Sequence, residues 1–358
     1  MQRQLLGMLF VIGLATMQAN AQQIPLFSQY FHNEFIYNPA WAGNSPYASA
    51  NLTYRSQWTG FEDAPQTTQF TFDLPFYRYR AGVGANIFYE QFKATQRVKA
   101  MMSYAYHIFG PYENSSKFSF GISGGVVHDR TDYGSLYVID ENDPLILNRN
   151  GTATNFELSF GINYLYRNRI QIGLATPQLL NPGLTATDEG DNALGLTNHF
   201  LGTLKFILDL PDGYTTFEPM VMLRYALNAP LQYEPALRVT YADLIWVSGG
   251  YRPDYAVTMA VGVKLDRLRV GYARDFSIGD FVGAIGSTNE IMLGYKFNHI
   301  PQGEDGQKGV GWGLQRKKVY HPSRPGPLFR SFPKTPKGRR DKFRGGGTPR
   351  ATGKYRRF

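Results

Sequence analysis

Residues 153–166 read ATNFELSFGINYLY. In an extended chain successive side chains point to opposite faces. Phe156, Leu158, Phe160, Ile162, Tyr164 and Tyr166 then share one face, and Asn155, Glu157, Ser159, Gly161 and Asn163 share the other. The pattern recurs. Phe70, Phe72 and Leu74 alternate with Thr71 and Asp73. Val257, Met259, Val261 and Val263 alternate with Thr258, Ala260, Gly262 and Lys264. Ile291, Leu293, Tyr295 and Phe297 alternate with Glu290, Gly294 and Lys296. In water such a pattern means one buried face. In an outer-membrane barrel it means apolar toward lipid and polar toward the lumen.

Working outward, the same reading predicts 14 strands, near 48–58, 66–76, 80–89, 97–109, 116–128, 153–166, 169–177, 197–210, 214–225, 231–241, 243–252, 255–265, 267–277 and 288–298. The even-numbered connections are tight or short: Tyr77-Arg78-Tyr79, Gly110 to Ser115, Arg167-Asn168, Pro211-Asp212-Gly213, Ala242 and Asp266. Several odd-numbered ones are longer: Thr59 to Pro65, Asp129 to Thr152, Gln178 to Leu196 and Ile278 to Ser287. Short turns on one side and long loops on the other are the outer-membrane arrangement, with the short turns periplasmic. The expected fold is therefore all-β: a transmembrane antiparallel outer-membrane β-barrel of about 14 strands with a disordered basic C-terminal tail. The competing fold, a large soluble sandwich, does not need 24 Tyr and 25 Phe. In a membrane those rings form interfacial girdles, for which Tyr54, Trp58, Tyr89, Tyr104, Tyr225, Tyr241 and Trp246 are candidates.

The chain opens like a secretory signal peptide. Arg3 supplies a positive start, Leu5 to Ala15 an apolar run, and Ala19-Asn20-Ala21 a small-x-small cleavage site, which leaves Gln22 first. The apolar run is too short to span a bilayer as a helix. There is no cysteine, which removes disulfides, thiolate metal sites and a Cys nucleophile. The net charge of +9 belongs to one end. From residue 300 onward there are 16 Lys and Arg against 3 Asp and Glu, a net of +13; the remainder carries 21 against 25, a net of −4. The expected organisation is a signal peptide (1–21), an N-terminal plug or periplasmic rim segment (22–47), the barrel (48–298) and a basic periplasmic tail (299–358).

Residues 27–43 read FSQYFHNEFIYNPAWAG, and 52–76 read LTYRSQWTGFEDAPQTTQFTFDLPF. Gln29-Tyr30, then Asn38-Pro39-Ala40 with Trp41 and Ala42-Gly43, then Arg55 followed by Gln57-Trp58, Gly60-Phe61 and Ala64-Pro65, in this order behind a signal peptide, resemble the PorP/SprF family of outer-membrane proteins associated with type IX secretion and gliding motility. The resemblance covers about residues 22–298 and not the tail. It implies a non-enzymatic component that supports export, or surface attachment, of cargo with a C-terminal sorting domain. It implies other type IX secretion components and the secreted cargo as partners, and it brings no catalytic residues.

The same residues have a physical reading. Phe27, Tyr30, Phe31, Phe35, Tyr37, Trp41 and Tyr47 precede the first strand and are too many aromatics for a solvated leader. A 14-stranded barrel leaves a lumen that wall side chains alone do not fill. The segment is expected either to fold into that lumen as a plug or to form an aromatic cuff on the periplasmic rim, with Phe27, Tyr30, Tyr37, Asn38, Pro39, Trp41, Arg55, Trp58 and Phe61 as the plug or partner contacts. Arg55, Asp73, Glu157, Lys205, Glu290 and Lys296 fall on polar strand faces, where paired charges are commonly structural. Asp129, Asp132, Asp140, Glu141 and Asp143 are assigned to a long loop; their spacing does not match an EF-hand, so a solvated loop is favoured over Ca²⁺ binding.

No catalytic constellation stands out, and no metal or cofactor is expected. The six His residues include no i, i+4 pair, and there is neither a G-x-S-x-G elbow nor a phosphate loop. A barrel lipase is the enzymatic alternative, with His107 and His128 on adjacent strands; structural histidines are the favoured reading. In the tail, Arg316, Lys317, Lys318, Arg339, Arg340, Arg356 and Arg357 alternate with prolines and with Phe329, Phe332, Phe343 and Phe358. That composition is disordered by default. These residues are expected to dock an acidic periplasmic partner, with anionic lipid or cell-wall polymer as the other candidates; the signal peptide argues against nucleic acid. The alternative function is a transport channel for a small hydrophobic or nutrient ligand, with aromatics 27–47 as its gate.

Overall fold

The computed structural model describes residues 26–110, 116–132, 150–179, 198–226, 229–278 and 286–297. The signal peptide, the Asp140-Glu141-Asn142-Asp143 run and every tail docking residue lie outside them. The strands are β1 (Ser49–Ser56), β2 (Gln66–Phe76), β3 (Ala81–Phe92), β4 (Thr95–Phe109), β5 (Ser116–Asp132), β6 (Asn150–Tyr166) and β7 (Ile170–Thr176). They continue as β8 (His199–Phe206, resuming after Ile207 as Leu208–Asp209), β9 (Thr215–Ala226), β10 (Gln232–Tyr241), β11 (Ile245–Arg252), β12 (Ala256–Leu265), β13 (Leu268–Ser277) and β14 (Thr288–Lys296). Each pairs antiparallel with the next, and β14 pairs with β1, with Ser49 opposite Lys296 and Arg55 opposite Glu290. The result is a closed 14-stranded antiparallel barrel with no open edge, the strand arrangement a bilayer tolerates. No helix among the described residues is long and apolar enough to cross a membrane. The last backbone bond of the ring runs from the Phe297 N–H to the Ala48 carbonyl, at 2.9 Å.

At one end the connections are short: 77–80, 110–115, 167–169, 210–214, 242–244 and 266–267. Arg167 and Asn168 both have positive φ, as do Ala242 and Asp243, the backbone that type I′ hairpin turns require at both central residues. The other end carries the long connections 57–65, 133–149, 177–198 and 278–287, together with three short ones, 93–94, 227–231 and 253–255.

The alternation resolves as the barrel needs. Leu52, Tyr54, Ile87, Met102, Tyr104, Phe156, Phe160, Ile172, Val261 and Leu293 are exposed on the outer wall, whereas Asn51, Thr53, Arg55, Thr71, Asp73, Ser103, Glu157, Asn163 and Glu290 are buried inside. Leu293 stands near the middle of β14, opposite Leu52 and Val270. Replacing it by Arg places a charge in hydrocarbon and is expected to cost about 2–4 kcal/mol. Denaturant unfolding in lipid vesicles reads that cost; a change below about 0.5 kcal/mol would put this face somewhere other than lipid.

Two expectations are corrected. Trp246 is not a girdle residue: it is 3% exposed and faces inward, its ring centroid 4.1 Å from that of His32. The parity of β11 sends Ile245 and Val247 outward and Trp246 between them inward. Gly262 on the neighbouring strand leaves the room, since a Cβ there would lie 2.3 Å from the indole. Asp129 and Asp132 are not loop residues. β5 and β6 pair without interruption from Ser116–Tyr166 to Asp132–Asn150, and Asp129 accepts from Arg97 at 2.6 Å. This cross-strand charge pairing supports the longer hairpin.

Residues 26–48 contain three short 3₁₀ turns, Tyr30–His32, Glu34–Ile36 and Pro39–Trp41. The third shows why this sequence turns where it does. Asn38 caps it, its side-chain oxygen accepting from the Ala40 N–H at 2.9 Å, and Pro39 occupies the first position, where no N–H is needed. Phe27, Tyr30, Phe31 and Tyr37 are buried against Ala175 of β7, Leu201 of β8, Met220 and Met222 of β9, and Ala236 of β10. Phe35 and Ala42 pack on Ala105 of β4. All these wall residues belong to the inward set, so the segment lies within the ring of strands.

Candidate functional site in the barrel lumen

The segment crosses the lumen from one end to the other. Its first described turns meet strand residues beside the long connections: Ser28 and Gln29 bond Glu290 and Asp275, three residues or fewer from the ends of β14 and β13. Asn33 then bonds Thr71 in the middle of β2. Glu34 meets Lys205 of β8 and Gln171 of β7, and Asn38 donates to the Ile162 and Leu174 carbonyls at 3.0 and 3.4 Å. Gly43 donates to Asp73 at 3.2 Å, and Asn44 accepts from Lys117, both beside the short turns. The chain then enters β1 from that same end.

At the long-connection end the wall carries an alternating charge lattice. Glu290 accepts from Arg55 at 3.2 Å, and Arg55 reaches Asp275 at 2.9 Å. Asp275 also accepts from Arg252 at 3.0 Å; Arg252 reaches Glu234 at 2.8 Å, and Arg224 closes the row at 2.5 Å from Glu234. Three guanidiniums and three carboxylates from β1, β14, β13, β11, β10 and β9 neutralise one another out of solvent. Buried charges are tolerated only when paired and hydrogen-bonded in this way.

The wall also holds the segment by its main chain. Glu290 accepts the N–H groups of Ser28 and Gln29, at 2.7 and 2.9 Å, one on each carboxylate oxygen. Arg252 donates to the Phe27 carbonyl at 3.3 Å, Arg238 to that of Phe31 at 3.2 Å, and Arg269 to that of His32 at 3.3 Å. His107 lies 3.1 Å from the Ala42 carbonyl through Nε2. A carbonyl only accepts, so this contact puts the proton on Nε2 and leaves Nδ1 to accept from Ser119 at 2.8 Å. The His107–Ser119 pair is thus buried under Ala42 and holds the segment. His128 is exposed on β5, bonded to Thr154, and does not join it.

Of the residues singled out in the sequence, Phe27, Tyr30, Tyr37, Asn38, Pro39, Trp41 and Arg55 meet in this lumen. Trp41 stacks under Lys205, whose Nζ is 5.5 Å from the ring centroid. Trp58 and Phe61 do not meet them: they belong to the 57–65 connection, where Trp58 donates its N–H to Thr288 and Phe61 is 50% exposed. Lys99–Glu157 and Lys205–Glu34 are ion pairs, whereas Asp73 bonds Ser49 and Gly43. Sequence reading missed Asp275, Arg252, Glu234, Arg224, Arg238 and Arg269. Their signal was parity, because each occupies an inward position of its strand. Among the described residues no group of three or more His, Cys, Asp or Glu could hold a metal ion.

A family model described as type IX secretion system membrane protein PorP/SprF matches residues 19–295. The chain belongs to the PorP/SprF family. The match takes in the luminal segment and the ring as far as β14, so this PorP/SprF chain is an outer-membrane β-barrel component of type IX secretion. No individual curated protein matches it. Among solved structures it is similar to the outer membrane protein Omp33 of Acinetobacter baumannii, with 9% identity, 71% of this chain and 100% of that one covered, and a TM-score of 0.42. The P. putida toluene transporter TodX gives 10% identity over 74% and 94% of the two chains with a TM-score of 0.43. A Pseudomonas aeruginosa FadL homologue gives 10% over 78% and 96%, with 0.42.

Proposed function

We propose that this PorP/SprF barrel is a non-enzymatic assembly component of the type IX apparatus, supporting export or surface attachment of cargo with a C-terminal sorting domain, and that residues 26–47 act as its resident plug. The observation that carries the reading is the occupied lumen: the chain's own aromatics and main chain take the space through which a pore would conduct. A barrel filled in this way works through what it contacts. In the same reading the basic tail reaches into the periplasm and docks an acidic partner through Arg316, Lys317, Lys318, Arg339 and Arg340, with Phe329, Phe332 and Phe343 as anchors. A flexible coil of 60 residues would span on average roughly 40–45 Å, the reach such docking beneath the membrane needs.

The test is affinity purification from outer membranes of the whole protein and of a chain cut after His299. Secretion components are expected to co-purify with the whole form and to be lost with the cut one. Equal recovery with both would move the assembly contacts to the barrel and end the docking-arm reading. The second reading, a channel for a small hydrophobic or nutrient ligand, rests on the cleft between the segment and β7–β9, lined by Tyr30, Tyr37, Trp41, Leu201, Met220 and Met222. Ligand-dependent conductance would favour it; loss of cargo export in a deletion strain with intact nutrient uptake would count against it.

A further inference from the structure

We propose that the luminal wall is a binding site for a polypeptide main chain, that residues 27–32, which end in the 3₁₀ turn Tyr30–His32, are its resident occupant, and that a segment of an exported polypeptide able to follow the same path takes their place. The identity of that partner rests on the secretion reading above; the site itself rests on the geometry.

Two features of the wall point to a site rather than to ordinary core packing. The first is what it recognises. Arg252, Glu290, Arg238 and Arg269 hold the Phe27 carbonyl, the Ser28 and Gln29 N–H groups and the Phe31 and His32 carbonyls. Every polypeptide carries these groups, so the contacts tolerate a change of sequence. Side-chain selectivity comes from Phe27, Tyr30 and Phe31, buried in one apolar cluster with Met220 and Met222, from His32 against Trp246, from the Gln29 amide, which donates to the Glu290 carbonyl at 3.3 Å, and from the Ser28 hydroxyl, which donates to Asp275 at 2.6 Å. The occupant to expect is therefore a short segment that ends in a 3₁₀ turn, with aromatic residues at its first, fourth and fifth positions and a small hydroxyl residue at its second.

The second feature is that three of the four clamp residues do not depend on the occupant for charge balance; Arg269, the fourth, is held on the wall by the Asn51 side-chain oxygen at 2.8 Å. Glu290 keeps Arg55, Arg252 keeps Asp275 and Glu234, and Arg238 keeps Glu218 when the segment is taken away, because these pairs run from strand to strand. An exchange of occupants thus leaves none of these three wall charges bare, the condition under which a buried charged site stays assembled. The resident segment is tethered and competes at an effective concentration on the order of millimolar, so a free peptide gains access when the tether is cut or the resident is weakened.

The test uses the full chain with a protease site inserted between Ser45 and Pro46, folded in detergent micelles and then cut, and a fluorescent synthetic peptide of residues 26–44. The labelled peptide is expected to replace the cut segment, as read by mass spectrometry of the released chain. A peptide N-methylated at the Ser28 and Gln29 amides loses two bonds to a carboxylate and is expected to exchange at least about tenfold more weakly. Retention of the cut segment against excess peptide, with the barrel folded, would make it fixed core and overturn the proposal. Equal exchange of the N-methylated peptide would overturn main-chain recognition. If cutting unfolds the barrel, the uncut Ser28→Pro variant serves: its resident lacks one N–H, and it is expected to bind labelled peptide about tenfold more tightly than the unmodified protein. No difference between the two would overturn the proposal. None of these readings requires secretion machinery, so a failed exchange leaves the type IX reading standing. Exchange in micelles together with undiminished cargo export in a strain that lacks this protein would overturn that reading alone.

Discussion

Replacing Arg55 by methionine is expected to destabilise the barrel by about 3–5 kcal/mol, the cost of leaving a buried charge uncompensated. Arg55 and Glu290 are each 1% exposed and directly opposite across the β1–β14 closure, so solvent screens little of the effect. Asp275 retains Arg252 in the variant, whereas the N–H groups of Ser28 and Gln29 remain on Glu290 without a counter-charge. The loss therefore falls on the seam that closes the ring and on the head of the luminal segment together. Two measurements read it: denaturant unfolding in vesicles, and protease cleavage near residue 27 in the folded protein. The double variant Arg55→Met with Glu290→Gln removes both charges and leaves an amide oxygen to accept one of the two N–H groups, and it is expected to recover part of the stability because no buried charge is then left without its partner. A single variant costing under about 1 kcal/mol, or a double costing more than the single, would show that the pair does not secure the seam.

Much of this barrel was legible because a membrane enforces a strict code. With lipid outside and a polar lumen inside, period-two alternation survives along the described strands, and each strand was placed to within a few residues. The errors have physical causes. β5 and β6 run on to Asp132 and Asn150 through residues that read as loop, since beyond the apolar band a hairpin needs only backbone pairing and an Arg97–Asp129 contact. Trp246 was misread because an aromatic near a strand end has two uses, and what decided between them was a glycine on another strand. At the site, Arg55 and Glu290 were recognised singly, but their partnership required the closure register that sets residue 55 against residue 290. The main-chain contacts of residues 27–32 carry no signature in their own sequence. They are specified by arginines and a glutamate more than 200 residues away, and only parity on distant strands hinted at them.

Introducing a side chain at Gly121 is expected to drive the luminal segment from its place. A Cβ there would lie 2.4 Å from the Pro39 carbonyl carbon and 2.5 Å from the Ala40 nitrogen. Both are backbone atoms of a turn held by Asn38, so no rotamer change relieves the contact. Overpacking of this kind costs about 1–3 kcal/mol where the surroundings can shift. Here a shift means breaking the Asn38 bonds to Ile162 and Leu174 on the neighbouring strands β6 and β7. In planar bilayers the unmodified protein is expected to stay closed and Gly121→Val to show sustained ion flux. Gly202→Val is the control: the same substitution on the outward face of β8, where a Cβ would meet only the Leu174 and Leu223 side chains, at 3.6–3.9 Å, and where closure should persist. If Gly202→Val opened the barrel as readily, the flux would report general loosening of the wall. If the unmodified protein already conducted as a wide pore, the segment would not be a plug, and the aromatics at 27–41 would have to act as a gate for a permeating ligand. Closure lost at Gly121 alone would instead tie the seal to the one place where β5 lets the chain's own backbone lie against the wall.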